Sequence, residues 1–516
     1  MFMKTMPRRV PGMVGSIVAL SLVVGTLTGC AFEFEYDEED VEVTDQPLFS
    51  GNTGFYWTGS LVMIPVCFKS PTPANQNIRD DVRRRIEGQW SRWARVNFTG
   101  WGDCASAPSG KRVEITLDST KNGGQCPPTT LKCWFGTKCV ATSGVSCLGG
   151  MPTHEMGHAI GFFHEEERPD YKDWVYWGGA TKVPGGCAQQ DYCTNPNYGG
   201  QNCPPKKHEK LGGYDPQSIM SYCAAKDHPD QLSPNDIASV QHVYGWRKQG
   251  QIVSPLGNCA AANVNDVNPV VFSWDCDEAP GQFWKYNAQN RIQSNVDSTK
   301  CWHYSGAGGY KPANGTVIKI GSCGSAPIFA TNGVEIIGYG GKCLDLRNGN
   351  TTNGTPVQTW ECLGNSNQKW GIGANGVIRF GSNNSSKCLS VSGSLLVISD
   401  CLSGYFGQKF VFADGSLKLA TDSTKCLDVP AAWDADYAPN GAVGTASAPN
   451  LIPNGRQVQV FQCLPAQINQ KWFVRGALKT GWNMCVDLPN GTFNNGAVLQ
   501  LWDCLNNNNQ VWDMRL

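Results

Sequence analysis

The sequence predicts a chain of several domains, with an α+β domain in its first half and all-β repeats in its second half. The chain has 516 residues, which is too long for a single hydrophobic core. The first half mixes segments of helical periodicity with segments of strand alternation. From about Gly250 onward, a unit of about 40 residues with short β-prone segments recurs.

Composition indicates an oxidising compartment. The 23 cysteines are spread along the whole chain, which is typical of an extracytoplasmic protein with disulfides. The formal net charge is -1, so there is no electrostatic reason to expect nucleic-acid binding.

Residues 1–30 read as a lipoprotein-type signal peptide. Basic residues precede an apolar run from Met13 to Val24, which is too short for a membrane span. The segment Leu27-Thr28-Gly29-Cys30 resembles the bacterial lipobox, and that resemblance implies lipidation of Cys30. Without Cys30 an even number of cysteines remains for disulfides. Ordinary signal cleavage, with release of the protein, is the alternative.

Residues 31–50 are strongly acidic up to Asp45. Such a dense run of like charges predicts a disordered linker. The alternative is a short pro-segment that covers an active site with one of its carboxylates.

Residues 51–248 have the pattern of an α+β domain. Strands are predicted at Leu61–Phe68 and at Val113–Leu117. Apolar residues repeat every four positions from Ile78 to Trp90, which predicts an amphipathic helix. A closing helix is predicted between Ser233 and Gly245, because its start resembles a capping box and glycine ends it.

The most informative segment runs from His154 to His164 and reads HEMGHAIGFFH. A helix places His154 and His158 on one face, where two neutral imidazoles can bind one Zn²⁺. The carboxylate of Glu155 can then reach a water molecule on the metal. Gly161 can adopt the positive φ that ends the helix and turns the chain, so that His164 approaches as a third ligand.

Three protein ligands leave a fourth position for water, which distinguishes a catalytic zinc site from a closed structural one. The alternative is that the short HExxH pattern arose by chance. Three of the seven histidines of the chain lie within this segment, together with the added glycine, and this favours the metal site.

This pattern, followed by Glu165, Arg168 and Asp170 and then by the segment from Ser218 to Tyr222, resembles the astacin family of metzincin zinc endopeptidases. The resemblance covers roughly residues 51–246 and implies an α+β metzincin fold. It also implies that Met220 forms the Met-turn beneath the zinc. Tyr222 would ligate zinc in the resting enzyme and then stabilise the oxyanion.

A matrixin-like protease is the alternative within the same class of enzyme. Glu165 matches the glutamate that contacts the mature N-terminus in astacins, and with the arginine–aspartate pair it favours the astacin family. Ser221 departs from the family pattern, in which histidine is common, and this bears on substrate preference more than on the chemistry.

The second half consists of six repeat units, and each unit has two cysteines and an aromatic residue. In every unit except unit two, a glutamine lies two positions before that aromatic residue. The motifs are Gln282-Phe283-Trp284, a degenerate Ile328-Phe329, Gln368-Lys369-Trp370, Gln408-Lys409-Phe410, Gln470-Lys471-Trp472 and Gln510-Val511-Trp512. With the Cys-Leu-Asp segments, they resemble the ricin B-type β-trefoil lectin family. Three units make one trefoil in that family, so the resemblance implies two all-β β-trefoils, at 251–372 and 373–516, and suggests one disulfide within each unit.

Units three, five and six each keep a carboxylate and an amide for sugar hydroxyls and an aromatic ring for the apolar face of a sugar. The three candidate carbohydrate sites are Asp345, Gln358, Trp360, Asn367 and Gln368; Asp428, Gln459, Phe461, Asn469 and Gln470; and Asp487, Gln500, Trp502, Asn509 and Gln510. Units one, two and four lack the aspartate and are predicted to be structural. The glutamine of each Gln-x-aromatic motif also fits a purely structural role.

The sequence thus predicts a zinc metalloendopeptidase that hydrolyses protein substrates and is targeted to glycosylated ones by carbohydrate-binding repeats. It would be secreted or anchored at the cell surface, would contact a membrane only through a lipid anchor, and would not bind nucleic acid. The alternative from another class is a carbohydrate-binding adhesin with an inert protease fold. The intact set of three histidines with Glu155 argues against it.

Overall fold

A computed structural model describes most of the chain in the ranges 57–162, 215–221, 231–430 and 454–515. Short gaps within these ranges fall at 58, 60, 122–123, 128–129, 138–147, 149–150, 216, 288, 290, 306–309, 374, 465–466, 493 and 506. The expected signal peptide at 1–30, with Cys30, and the acidic segment at 31–50 lie outside the described residues. Within the described ranges, no helix has the length and apolar character needed to cross a membrane.

The first domain combines three described α-helices with one five-stranded sheet. The helices are α1 (Gln76–Ile86), α2 (Met151–Ala159) and α3 (Pro234–Tyr244), and a π-helical turn, Glu87–Ser91, extends α1. The strands are β1 (Val62–Phe68), β2 (Val96–Asp103), β3 (Val113–Asp118), β4 (Gly124–Gln125) and β5 (Lys132–Gly136). These elements confirm both predicted strands and all three predicted helices.

The sheet has the order β2-β1-β3-β5-β4. Its first four strands are parallel, and β4 pairs antiparallel with β5 at the edge. Helix α1 buries Val82 and Ile86 in the core, as its four-residue periodicity predicted. The indole N–H of Trp90 then donates to the carbonyl of Thr153 at 2.9 Å, so this helix and its extension hold α2 in place.

The second half contains short strands throughout. They are β6 (Ile252–Val253), β7 (Cys259–Ala261), β8 (Phe272–Trp274), β9 (Trp284–Tyr286), β10 (Ile292–Ser294), β11 (Lys300–Tyr304), β12 (Thr316–Ser322), β13 (Glu335–Ile337), β14 (Cys343–Leu346), β15 (Val357–Trp360), β16 (Trp370–Ile372), β17 (Ile378–Phe380), β18 (Lys387–Ser392), β19 (Leu395–Asp400), β20 (Phe410–Ala413), β21 (Ser416–Leu419), β22 (Asp422–Asp428), β23 (Arg456–Gln457), β24 (Gln459–Gln462), β25 (Phe473–Gly476), β26 (Met484–Asp487), β27 (Ala497–Val498), β28 (Gln500–Asp503) and β29 (Trp512–Met514).

Each of the six units closes its own disulfide, which confirms the expected pairing. The pairs are Cys259–Cys276, Cys301–Cys323, Cys343–Cys362, Cys388–Cys401, Cys426–Cys463 and Cys485–Cys504. In the first domain, Cys67 pairs with Cys104 and Cys126 with Cys133. These disulfides agree with an oxidising, extracytoplasmic compartment.

The six units are divided between two hydrophobic cores, but not in the sequential order expected from the repeats. One core contains Trp284, Phe329 and Trp512 of units one, two and six. The other contains Trp370, Phe410 and Trp472 of units three, four and five. Three units around one core is the arrangement of a β-trefoil, so we call the first group trefoil A and the second trefoil B.

Trefoil B is therefore inserted into trefoil A, and a division into 251–372 and 373–516 does not describe how the units pack. The chain enters trefoil B through β13 and leaves it through β25. These two strands pair antiparallel, with Ile336 opposite Val474. Entry and exit thus lie side by side, and this allows unit six to return to the core of units one and two.

The first domain and the trefoils share a packed joint. Ile337 and Phe473 of the trefoils belong to the hydrophobic core of the first domain. Arg92 of the first domain donates to both carboxylate oxygens of Asp513 in trefoil A, at 2.9 and 3.0 Å. Arg95 makes the same bidentate contact with Glu278, at 2.6 and 3.0 Å. The first domain and trefoil A are thus held together by these ion pairs as well as by the shared core.

Candidate functional site

His154 and His158 lie side by side on α2, with ring centroids 4.9 Å apart. The Nδ1 atom of His154 lies 2.6 Å from the carbonyl oxygen of Ile219, and that of His158 lies 2.7 Å from the carbonyl oxygen of Phe162. Because a carbonyl oxygen can only accept, each Nδ1 carries the hydrogen, and in the neutral imidazole the lone pair is then on Nε2. Neutral imidazoles oriented through Nδ1 in this way are suited to bind zinc through Nε2.

The end of α2 is built so that the Phe162 carbonyl reaches His158. Gly161 has φ of 101°, which confirms that it ends the helix in a conformation that favours glycine. The carbonyl of Ala159 accepts from the indole N–H of Trp57 at 3.1 Å, and that of Ile160 accepts from the hydroxyl of Tyr244 at 2.6 Å. These contacts satisfy carbonyls that a helix end leaves without partners.

Met220, the residue predicted for the Met-turn, packs against α2 at Gly157. A Cβ at Gly157 would overlap the Met220 sulfur and would lie 3.1 Å from Trp90. Gly157 therefore allows the helix and the methionine to touch. The side chains of Met220 and Trp90 are both buried, so the face of α2 at Gly157 packs on apolar groups.

A buried polar network connects α3 to the segment that carries Met220. Asp236 accepts hydrogen bonds from the hydroxyl of Ser218 at 2.6 Å and from the backbone N–H of Ile219 at 2.8 Å. Asp236 also completes the capping box of α3 with Ser233, as that sequence predicted. Because the Ile219 carbonyl is the partner of His154, the start of α3 indirectly positions this histidine.

Burial, and after it the nearby carboxylate of Asp215, raises the pKa of Asp236 to about 6. Asp215 accepts from the hydroxyl of Ser233 at 2.6 Å, so the two carboxylates belong to one network. Sequence analysis found the capping box but missed its connection to the histidine. Asp215 and Asp236 flank the Ser218-Ile219-Met220 segment in the sequence, and these two aspartates could have indicated the connection.

Glu155 lies on α2 next to the first histidine and is largely buried. Its Oε2 accepts the backbone N–H of Cys126 at 2.8 Å, immediately after edge strand β4. This contact holds the Glu155 carboxylate against the segment that follows β4. The contact was not predictable from sequence, because a backbone N–H carries no residue signature.

Several predicted site residues lie outside the described part of the chain. They are His164, Glu165, Arg168, Asp170 and Tyr222. The structure thus places two of the three predicted histidines, the predicted base and Met220 in one cluster.

The three candidate carbohydrate sites repeat one arrangement around a buried aspartate. In unit three, Asp345 accepts from Gln358 at 3.0 Å and from Gln368 at 3.2 Å. The same two contacts occur in the other two units, from Gln459 and Gln470 to Asp428 and from Gln500 and Gln510 to Asp487. In each unit the amides fix the direction of both carboxylate oxygens.

The second glutamine of each set also supports the fold. Gln368 is fully buried, donates to the carbonyl of Glu361 at 2.7 Å and accepts from the N–H of Leu363 at 2.7 Å. Gln282 of unit one makes the corresponding backbone contacts although that unit has no aspartate. This position therefore stabilises the trefoil in every described case and orients the aspartate where one is present.

The remaining members of the three sets lie nearer the surface. Phe461 is 50% exposed, and Trp360 and Trp502 are half-buried. Asn367, Asn469 and Asn509 are also half-buried, and Asn469 donates to Asp428 at 2.9 Å. Units three and five belong to trefoil B and unit six to trefoil A, so each trefoil carries at least one complete set.

Comparison with known families agrees with this division. The astacin family of peptidases matches residues 132–249, and the ricin-type beta-trefoil lectin domain matches residues 332–442. The second match begins just before β13, where trefoil B begins.

Individual relatives match shorter parts of the chain. Nigrin b of Sambucus nigra is 39% identical over 71 residues, and beta-galactoside-specific lectin 2 of Viscum album is 40% identical over 74 residues. Each of these matches covers 13% of this chain and 12% of the relative, so the chain spans about an eighth of their length.

Two solved structures are also similar in part. The C-half of an earthworm R-type lectin, in complex with GalNAc, is 17% identical with a TM-score of 0.21, over 28% of this chain and 97% of the lectin. Myroilysin is 20% identical with a TM-score of 0.25, over 37% of this chain and 97% of myroilysin.

Proposed function

We propose that this chain, which joins an astacin-family peptidase domain to ricin-type β-trefoil lectin units, is a zinc endopeptidase targeted to glycosylated proteins. The observation that carries the proposal is the pair of imidazoles on α2, each held through Nδ1 by a backbone carbonyl. An inert domain in an adhesin would not need this orientation. The donor set supports zinc, with His154 and His158 as two ligands and His164 proposed as the third.

Bound zinc would polarise the scissile carbonyl and lower the pKa of water. We assign proton transfer to Glu155: it takes a proton from the attacking water and returns it to the leaving amine. The N–H of Cys126 holds the carboxylate in place for both transfers. Tyr222 is proposed to donate a hydrogen bond to the oxyanion, and Met220 to support the two imidazoles from below.

The lectin units are proposed to bind sugars through Asp345, Asp428 and Asp487, each beside a partly exposed ring. The amides that already hold these carboxylates reduce the cost of ordering them when a sugar binds. Lactose is a suitable first probe, since one relative is a β-galactoside-specific lectin. Several weak sites on one chain would raise the local concentration of a glycosylated substrate at the peptidase site.

Glu155→Gln tests the peptidase assignment. The variant should retain zinc, because its proposed ligands are unchanged, and should lose at least about a hundredfold in turnover of an unglycosylated peptide. Glu361→Gln, an exposed carboxylate of unit three, is the matched control and should keep full activity. Wild-type turnover in a zinc-loaded Glu155→Gln protein would refute the assignment.

A second experiment tests targeting. The variant that combines Asp345→Ala, Asp428→Ala and Asp487→Ala should hydrolyse a small unglycosylated peptide normally but show a higher KM for a glycosylated protein. Phe406→Ala removes an exposed ring from unit four, which has no such aspartate, and should leave both substrates unaffected. Equal kinetics for the wild type and the triple variant on glycosylated proteins would exclude the targeting role.

Anchoring is proposed separately, on the lipobox-like sequence. Cys30→Ser should release the protein from membranes and abolish acyl labelling. The appearance of unlipidated wild-type protein in the medium would instead support a secreted enzyme.

A further inference from the structure

We propose that unit one of trefoil A binds an organic cation with an apolar stem, namely the side chain of an arginine or lysine on the surface of a protein. A cleft of about 530 Å³ lies in this unit. The residues that line it include two aromatic residues, Phe272 and Trp274, and two carboxylates, Asp266 and Asp277. Neither the peptidase site nor the three candidate carbohydrate sites use these residues.

The cleft occupies the position that a candidate carbohydrate site has in unit three. There, Asp345 lies opposite Gln358 in paired strands. In unit one, Ala261 and Phe272 take these two places and lie opposite each other in the same way. In both units the first residue lies two positions after the first cysteine, and the second lies four positions before the second cysteine. Trp274 keeps the place of the ring, so unit one retains the ring but lacks both polar groups.

The groups that replace them make the cleft apolar. The rings of Phe272 and Trp274 meet edge to face, with centroids 5.9 Å apart and an angle of 76° between their planes. Trp274 is 38% exposed and Phe272 is half-buried, so a ligand in the cleft can contact both rings. Ala261 and Val264 add buried apolar surface to the lining. Aromatic faces attract cations, and apolar surface accommodates the stem of a long cationic side chain.

The charge of the cleft is negative and is not balanced by the groups that line it. Asp277 directly follows the second cysteine, where unit three has Leu363. Asp266 lies in a turn in which its N–H donates to the carbonyl of Asn263 at 3.0 Å. Both carboxylates are exposed, and neither forms an ion pair with a described residue. The described residues that line the cleft include no lysine, arginine or histidine, so a bound cation would supply the missing charge.

These features together select the ligand. A sugar would find no carboxylate held by amides for its hydroxyls, and an anion would be repelled by Asp266 and Asp277. An arginine or lysine side chain fits both properties of the cleft, because its charged end can pair with a carboxylate while its methylene stem packs on the rings. Such side chains are mostly exposed on proteins. Unit one would therefore contact the polypeptide of a partner, independently of any sugar bound by units three, five and six.

Fluorine NMR of the full chain labelled with 5-fluorotryptophan tests the site, with the Trp274 resonance assigned by its loss in Trp274→Phe. N-acetylarginine amide, which mimics an arginine within a polypeptide, should shift this resonance saturably. N-acetylcitrulline amide has nearly the same shape without the charge and should bind several-fold more weakly. Binding of the arginine probe should also weaken as sodium chloride is added, because both carboxylates are exposed.

Matched variants separate the charge from the rings. Combining Asp266→Asn with Asp277→Asn should remove the preference for the arginine probe over the citrulline probe. Phe272→Ala should weaken binding of the arginine probe about two- to fivefold, the range that corresponds to one cation–π contact at an exposed site. Asp422→Asn changes an exposed carboxylate of unit five that does not line the cleft, and it should behave like the wild type.

Equal affinity of the wild type for the two probes would overturn the proposal, as would an unchanged preference in the double asparagine variant. Displacement of the arginine probe by lactose would show instead that the cleft is a sugar site. Tighter binding of free arginine than of the blocked probe would indicate an amino acid as the ligand, against a protein side chain. Because the Trp274 resonance reports binding in this cleft, none of these results depends on the peptidase or the candidate carbohydrate sites.

Discussion

Replacing Asp513 by asparagine should loosen the joint between the peptidase domain and the trefoils. Asp513 is fully buried and accepts four hydrogen bonds, two from Arg92 and two from Arg475, at 2.7 to 3.0 Å. Asparagine has nearly the same shape, but its NH₂ group cannot accept, so about half of these contacts are lost. The two guanidinium groups would remain in place and would lose the carboxylate that pairs with both of them.

The size of the effect follows from these contacts. Breaking a buried ion pair by removing one partner costs about 3–5 kcal/mol. Arg92 and Arg475 keep 16% and 15% side-chain exposure, so water recovers part of the loss and the lower end applies. A cost of about 3 kcal/mol corresponds to roughly a hundredfold change in the equilibrium that holds the joint closed.

The effect should also depend on pH. Burial by itself would raise the pKa of Asp513, but Arg475 and Arg92 outweigh it and hold that pKa well below its ordinary range. A depressed pKa in the folded state means that Asp513 contributes stability above pH about 4 and that this contribution is lost as the pH falls. As the pH is lowered, the free energy of unfolding of Asp513→Asn should therefore decrease less than that of the wild type.

Urea unfolding monitored by tryptophan fluorescence, at pH 3 to 7, measures both predictions. Asp503→Asn is the control, because Asp503 forms an ion pair with Lys311 that is exposed to solvent and should contribute little to stability. If Asp513→Asn unfolds at the same urea concentration as Asp503→Asn at pH 7, the joint does not depend on this buried network.

Three further predictions concern the active site and the trefoils. Gly157→Ala should displace Met220 and cost about 1–3 kcal/mol of stability, measured by thermal unfolding, together with zinc affinity; unchanged zinc affinity would contradict the packing. The pKa of Asp236 is raised to about 6, so the free energy of unfolding should decrease as the pH rises from about 4 to 6. In urea unfolding at a series of pH values, Asp236→Asn should show a smaller decrease over this range. Gln470→Ala should lower the unfolding midpoint more than Gln459→Ala does, because Gln470 also bonds two backbone groups; equal midpoints would contradict its structural role.

Local patterns in the sequence predicted much of this structure. The four-residue periodicity from Ile78 to Trp90, the capping box at Ser233 and the glycine at 161 each encode a local conformation, and each was found as expected. The cysteine pairs of the six units are also local, since each closes within its own unit.

Contacts between distant parts of the chain were not predictable. The interleaved order of the trefoils depends on β13 pairing with β25, and all six units carry similar core residues that do not specify their neighbours. The carbonyl of Ile219 holds His154, but every residue has a carbonyl, so the sequence gives no sign of it. The ion pair between Arg92 and Asp513 joins residues that are 421 positions apart, and no motif in the sequence indicates that they meet.

X-ray absorption at the zinc edge, on protein with one zinc per chain, tests the central claim most directly. The two Nδ1 contacts orient the imidazoles of His154 and His158. We propose that both bind zinc through Nε2, with His164 as the third ligand. We predict a first shell of nitrogen and oxygen, with imidazole nitrogens at about 2.0–2.1 Å. The same sample should hydrolyse peptide and stop when the zinc is chelated. Sulfur ligands at about 2.3 Å, or full peptidase activity without zinc, would contradict the account.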